Sequence, residues 1–170
     1  MDQTNFKAFY ARTSKPLWAY IYRICGDAHL AEDLLQESYL RFLQKPPRDT
    51  GESQTRSYLY TIATRLNHDR WKRVKVHEKW RLKFAEKKNG KLENLDEAVG
   101  LQTDMAGVFS ELKPQERALL WLAYVEEHSH RSIGEILGLK EKGVRVALFR
   151  ARKKLAKILS KKGIDAEVLA

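Results

Sequence analysis

Lys142, Arg145, Phe149, Arg150 and Lys153 lie in the segment EKGVRVALFRARKKL. They sit apart from Val144, Leu148, Ala151 and Leu155, which recur at i, i+4, i+7 and i+11 as one apolar stripe. From Lys140 to Lys162 ten residues are basic, and Glu141 is the only acidic one. A solvated helix face normally mixes signs. A face of one sign has the chemistry to hold a polyanion. A helix of this width fits the DNA major groove, with its front residues at base edges and its rear on phosphates. A basic surface helix with no groove partner would have the same composition. The short segment HRSIGEIL and the turn at Gly138, both just ahead of it, favour DNA, because two helices joined by a Gly-containing turn form a helix-turn-helix.

Two further groups of residues carry chemistry. In AHLAEDLLQESYLRFLQK, a step of about 100° per residue puts Ala31, Leu34, Leu35, Ser38, Tyr39 and Phe42 on one face. Asp33, Gln36, Glu37, Leu40 and Arg41 fill the other. An acidic, polar patch with one exposed leucine suits a basic protein partner rather than DNA. An ordinary wet face remains the alternative. RSYLYTIATRLNHDRWKRVKV interleaves aromatic with basic residues. Tyr58, Tyr60 and Trp71 offer flat surfaces for bases, and Arg56, Arg65, Arg70, Lys72 and Arg73 offer cations for phosphates, as capture of a single strand requires. Leu59, Ile62, Ala63 and Leu66 mark the buried stripe, so one or two of the aromatics are expected to join it.

Other constellations lead nowhere. EEHSH, Glu126 to His130, lacks a second Cys or His cluster and makes a weak metal site. No Walker loop, dinucleotide fingerprint or nucleophile elbow occurs, so no cofactor, metal or catalytic residue is expected. The one cysteine, Cys25, lies in an apolar stretch and reads as a core residue in a reducing compartment. No run of about 18 apolar residues occurs, and the first residues lack a signal-peptide core. Neither membrane insertion nor export is expected; the expected location is the cytoplasm.

The elements that must position these residues read as helices throughout, with no alternating strand. Phe6 to Ile24 forms the first, with Pro16 as the place where it would break. Gly26 ends it and Asp27 caps the second, which stops at Pro46 and Pro47. PPRDTGESQT is a polar loop, and Arg56 to about Val76 is the third helix. Pro114 opens the next, Ser129 caps a short one, and the last runs from near Lys140 to about Lys162.

The chain has 170 residues, 43% of them hydrophobic, and a net charge of +10. The charge is unevenly placed. Residues 1–77 hold 13 basic and 8 acidic side chains, residues 78–106 hold 6 of each, and residues 107–170 again hold 13 and 8. The expected architecture is all-α: two small helical domains joined by a flexible linker, the C-terminal one a helix-turn-helix. The boundaries are 1–77, 78–104 for the linker (with some helix before Asn89) and 105–170.

Both ends resemble one family. GDAHLAEDLLQESYLRF is similar to the region 2 signature of extracytoplasmic-function sigma factors of the sigma-70 family, and YLYTIATRLNHD to its region 2.3–2.4, with Leu59, Tyr60, Ile62, Ala63 and Asp69 matching. LKPQERALLWLAYVEEHSHRSIGEILGLKEKGVRVALFRARKKL resembles region 4 through Leu112, Pro114, Arg117, Ser129, Ile133, Leu137, Gly138, Val144, Leu148, Arg150, Ala151 and Arg152. The chain departs from the pattern at Gly143 (Thr in the family), Val146 and Ala147 (Ser-Arg), Tyr58 (Trp) and Arg65 (Asn). The resemblance implies a transcription-initiation role without covalent chemistry. Asp33, Gln36 and Glu37, with Leu40, would dock on the beta prime clamp helices of the RNA polymerase core. The rear domain would meet the beta flap. Arg56, Tyr58, Arg65, Asp69, Arg70, Lys72 and Arg73 would hold the −10 region of promoter DNA, the loop after Pro46 helping to cradle a flipped base. Lys142, Arg145, Phe149, Arg150 and Lys153 would contact the −35 region. An anti-sigma factor would cover both domains when the system is off. Two rivals are a helix-turn-helix regulator that never meets polymerase and a nucleic-acid-processing enzyme.

Overall fold

The computed structural model describes residues 3–48, 50–84 and 107–164. Among them the regular structure is helical and no strand occurs: α1 (Gln3–Cys25), α2 (Ala28–Gln44), α3 (Glu52–Phe84), α4 (Pro114–Tyr124), α5 (His130–Leu137) and α6 (Glu141–Lys161), with a helical turn at 107–110.

The front half is α1, α2 and α3. Gly26, at φ +74°, ends α1, and the Asp27 side chain accepts from the Leu30 N–H at 2.8 Å to start α2. Buried hydroxyls fix the helices to one another. Thr13 Oγ1 donates to the Phe9 carbonyl and lies 2.7 Å from the Tyr39 hydroxyl, joining α1 to α2. The Tyr20 hydroxyl meets Thr64 at 2.8 Å, joining α1 to α3. Phe9 stacks on Phe42 within the apolar centre.

Pro16 does not break α1. A proline inside a helix costs about 3 kcal/mol. Leu17, Tyr20 and Ile21 follow it fully buried, and each such side chain contributes about 1.5–3 kcal/mol, so packing outweighs the defect. The third helix also starts earlier than its apolar stripe implied. Glu52 puts a carboxylate in the first turn, where the helix dipole favours it, and pairs with Arg12 at 2.9 Å. Thr55 bonds back to the Gly51 carbonyl through both its N–H and its hydroxyl. Helix α3 continues to Phe84, into the segment expected to begin the linker. The remainder of that segment, 85–104, lies outside the described residues.

The rear half is α4, α5 and α6. Pro114 occupies the first turn of α4, and Glu116 accepts from the Lys113 N–H at 2.7 Å. The Ser129 hydroxyl accepts from the Ser132 N–H, and Gly138, at φ +67°, turns the chain into α6. A side chain at Gly134 would bring its Cβ to 2.7 Å from the Leu139 carbonyl oxygen. That residue must be small for the turn to fold back across α5.

The halves do not stand apart. Helix α1 packs on α4 and α3 on α5. Leu119, Leu122, Ile133, Ile136, Val144 and Leu148 share one apolar cluster with Leu17, Tyr20, Leu59 and Tyr60. A second, smaller cluster, including Val108, Leu120, Ala151 and Leu155, belongs to the rear half alone.

Candidate nucleic-acid and partner interfaces

Helix α2 buries Ala31, Leu34, Ser38, Tyr39 and Phe42 against α1 and α3. Its outward face carries Asp33, Gln36 and Leu40, all exposed, with Glu37 half-buried and bonded to Arg41 at 2.7 Å. Leu40 is 56% exposed, and Leu43 is exposed close by. A net negative patch with two aliphatic side chains thus stands on a strongly basic chain.

Helix α3 divides its residues differently. At about 100° per residue, Tyr58, Arg65, Asp69 and Lys72 share one flank of the helix, about a quarter-turn or more from the buried stripe of Leu59, Ala63 and Leu66. Arg65, Asp69, Lys72 and Arg73 are exposed, and Tyr58 is half-buried with its ring 6.1 Å from that of Phe42. Arg70 and Arg73 fall instead on the line of the buried stripe, Arg70 four and Arg73 seven residues after Leu66, and both are exposed. Trp71 is exposed, with the Lys75 ammonium 3.8 Å above its ring. Near the start of α3, Asn5, Arg12, Thr50 and Glu52 line an open depression of about 360 Å³ at the loop expected to hold a base.

Arg56 does not join that group. Its guanidinium pairs with Glu126 of the rear half and lies over the Tyr60 ring. Tyr60 is fully buried, in contact with Tyr20 and His128, and so is one of the aromatics that joined the core. Glu126 also accepts from the Trp121 indole N–H at 3.3 Å. His128 Nδ1 lies 3.5 Å from the Ser57 hydroxyl, and its Nε2 has no hydrogen-bond partner. Burial, with the Arg56 charge beside it and against the opposing pull of Glu126, lowers the imidazole pKa from 6.5 to about 4. The ring is therefore neutral at physiological pH. The EEHSH segment thus closes the seam between the halves. Arg23 adds to that seam from α1, stacked over Phe109 and Trp121. Sequence periodicity gave no sign of these contacts. The only local hint was that Arg56 shares a side of α3 with buried Leu59 and Ala63.

Helix α6 sorts its charges by side. Val144, Leu148, Ala151 and Leu155 are buried, as their spacing implied. Lys154 and Lys162 pair with Glu116 and Glu111 of the same half, at 2.7 and 3.2 Å. Lys142, Arg145, Arg150 and Lys153 are exposed, and among the described residues none has an ion-pair partner. Phe149 projects among them. The one cysteine, Cys25, is half-buried and donates to the Asp27 carbonyl, and burial pushes its thiol pKa up, away from reactivity.

Comparison with known proteins gives a consistent family assignment. The family model described as Sigma-70 region 2 matches residues 9–99, and that described as Sigma-70, region 4 matches residues 105–155. The ECF RNA polymerase sigma factor SigM of Bacillus subtilis is 27% identical over 164 residues, covering 93% of this chain and 96% of that protein. SigL of Mycobacterium tuberculosis is 26% identical over 163 residues, covering 93% and 90%. SigW of Bacillus subtilis is 27% identical over 169 residues, with the same coverages. Among solved structures, the sigma factor RpoE of Bartonella quintana, in complex with the anti-sigma factor NepR, superimposes with a TM-score of 0.71. It is 18% identical and covers 92% of this chain and 97% of that one, a likeness of fold.

Proposed function

We infer how the residues divide the work from one premise: this chain belongs to the extracytoplasmic-function branch of the sigma-70 family. It is an RNA polymerase sigma factor, with core polymerase and promoter DNA as its partners. The α2 face of Asp33, Gln36, Glu37 and Leu40 docks on the beta prime clamp helices, where the carboxylates meet basic side chains and Leu40 supplies an apolar anchor. Tyr58, Arg65, Asp69 and Lys72 hold the −10 strand, Arg70 and Arg73 take phosphate on the neighbouring side of the helix, and the depression beside Thr50 accepts an unstacked base. The outward face of α6 enters the −35 major groove.

Arg56 reaches DNA only when it leaves Glu126, so promoter binding by that residue is tied to separation of the halves at this point. An anti-sigma protein that bridges both halves would hold the seam shut. The chain works in the cytoplasm and contributes binding energy rather than covalent chemistry, and the polymerase performs synthesis. Among the described residues no helix is long and apolar enough to cross a membrane.

The observation that carries this reading is the opposed sorting of charge. An acidic aliphatic face stands on α2, and cations without ion-pair partners among the described residues stand on the outer face of α6. A DNA-binding regulator needs only the second. Co-purification with core polymerase separates the two. Retention of the chain by core polymerase, weakened by Gln36→Ala plus Glu37→Ala, is the expected result. A chain that binds duplex DNA but ignores core polymerase is a regulator of the other kind.

A further inference from the structure

Two apolar side chains lie where a purely solvated or purely phosphate-binding face would be polar. Val146 is 50% exposed and Phe149 is 59% exposed, both on α6. At about 100° per residue they fall near the middle of its outer face, opposite the buried stripe of Val144, Leu148, Ala151 and Leu155. Arg145 borders them on one side and Arg150 on the other, both without ion-pair partners among the described residues. The next residue, Ala147, is packed against the core, so it plays no part in this face.

We propose that Val146 and Phe149 read thymine in the −35 segment by contact with its C5 methyl group, while the flanking guanidiniums fix the helix on the phosphates. Base edges in the major groove present one apolar group, the thymine methyl, and donors or acceptors everywhere else. A valine and a phenylalanine can satisfy no donor or acceptor there. Set against a base edge other than thymine they would strip water from polar atoms without replacing it. Set against the methyl they bury apolar surface on both partners. The cations around them supply attraction to any sequence; the apolar pair supplies the preference. The pair lies in the front half of the helix, the part that approaches base edges in a helix-turn-helix.

This rests on the sigma-factor reading above, and the test keeps the two apart. Holoenzyme made from core polymerase and the full chain would select promoters from a random duplex library. The selected duplex would then be made with deoxyuridine in place of every thymidine of the −35 segment, which removes the methyl groups and leaves the hydrogen-bonding pattern intact. Binding is expected to weaken about three- to tenfold, the scale of losing one or two buried methyl contacts. The Val146→Ala, Phe149→Ala double variant is expected to bind thymidine duplex more weakly and to treat both duplexes alike. Its thermal unfolding should match the parent, because both side chains are exposed. Equal binding of the two duplexes by the parent overturns the inference and leaves the sigma reading standing, as does a selected −35 segment without thymine. Failure of the holoenzyme to select any duplex overturns the sigma reading and this inference with it.

Discussion

Arg56, near the start of α3, and Glu126, in the turn after α4, form an ion pair between residues 70 apart in the chain. The pair is unequal in its surroundings: the Glu126 side chain is 5% exposed and that of Arg56 36%. It sits at the edge of an apolar seam in which Leu122, Ile133 and Val144 are fully buried. A buried ion pair gains little net energy, because desolvation offsets attraction. Each of those apolar side chains contributes about 1.5–3 kcal/mol. The seam is therefore held by its apolar contacts, and the ion pair fixes where it closes.

The inequality predicts an asymmetric response. Arg56→Ala strands a buried carboxylate without its cation, with the Trp121 indole N–H still donating to it, and should lower stability by about 2 kcal/mol, roughly 4–8 °C in Tm. Glu126→Ala leaves a half-exposed guanidinium that water can solvate, and should cost less than about 1 kcal/mol. Thermal unfolding of the two variants side by side checks this, and equal losses contradict it.

His128 predicts a pH dependence. Held neutral by burial, it has a folded pKa of about 4 against 6.5 when free. The unfolded chain takes up this proton first as pH falls, so the stabilisation is complete above about pH 6.5. It declines down to about pH 4, below which both states are protonated and the dependence ends. Between pH 7 and 5 the loss should be on the order of 1–2 kcal/mol, allowing for partial exposure of the ring. Urea unfolding at the two pH values should show this loss in the parent and a smaller one in His128→Gln. Parallel losses in both would place the acid sensitivity elsewhere.

Gly134 and Gly143 predict opposite outcomes for the same substitution. Gly134→Ala sets a methyl 2.7 Å from the Leu139 carbonyl and should destabilise the rear half by about 1–3 kcal/mol. Gly143→Ala meets nothing within 4 Å, lies inside α6 and should stabilise by about 0.5–1 kcal/mol. Helical signal against temperature distinguishes them.

The docking face predicts a loss of partner without a loss of fold. Gln36→Ala with Glu37→Ala should weaken core-polymerase binding about tenfold while shifting stability by less than about 0.5 kcal/mol, since Gln36 is exposed and the ion pair of Glu37 is a partly exposed one with its own helix neighbour Arg41. Titration against core polymerase measures the first and thermal unfolding the second.

What could be read from the sequence was local. Asp27, Ser129, Gly26 and Gly138 act within four residues of themselves, and each cap and turn stands where its residue type required. The stripe of Val144, Leu148, Ala151 and Leu155 and the two faces of α2 follow from helical period alone. Periodicity states which side of a helix is covered but not what covers it. Tyr60 therefore read equally well as a base platform and as core, and Arg56 as a phosphate contact, until α5 and the Glu126 turn were placed against them. Glu52 could not be assigned to α3 from pattern, because its role comes from Arg12 on a different helix. Continuation of α3 past Val76 had no apolar stripe to announce it.

Run-off transcription tests the central claim most directly. Core polymerase would be supplied with a duplex library, with and without the purified chain. Transcripts that start at sequence-defined positions only when the chain is present are the expected result. Transcription by the mixture no different from that of core polymerase alone, on every member of the library, would contradict it.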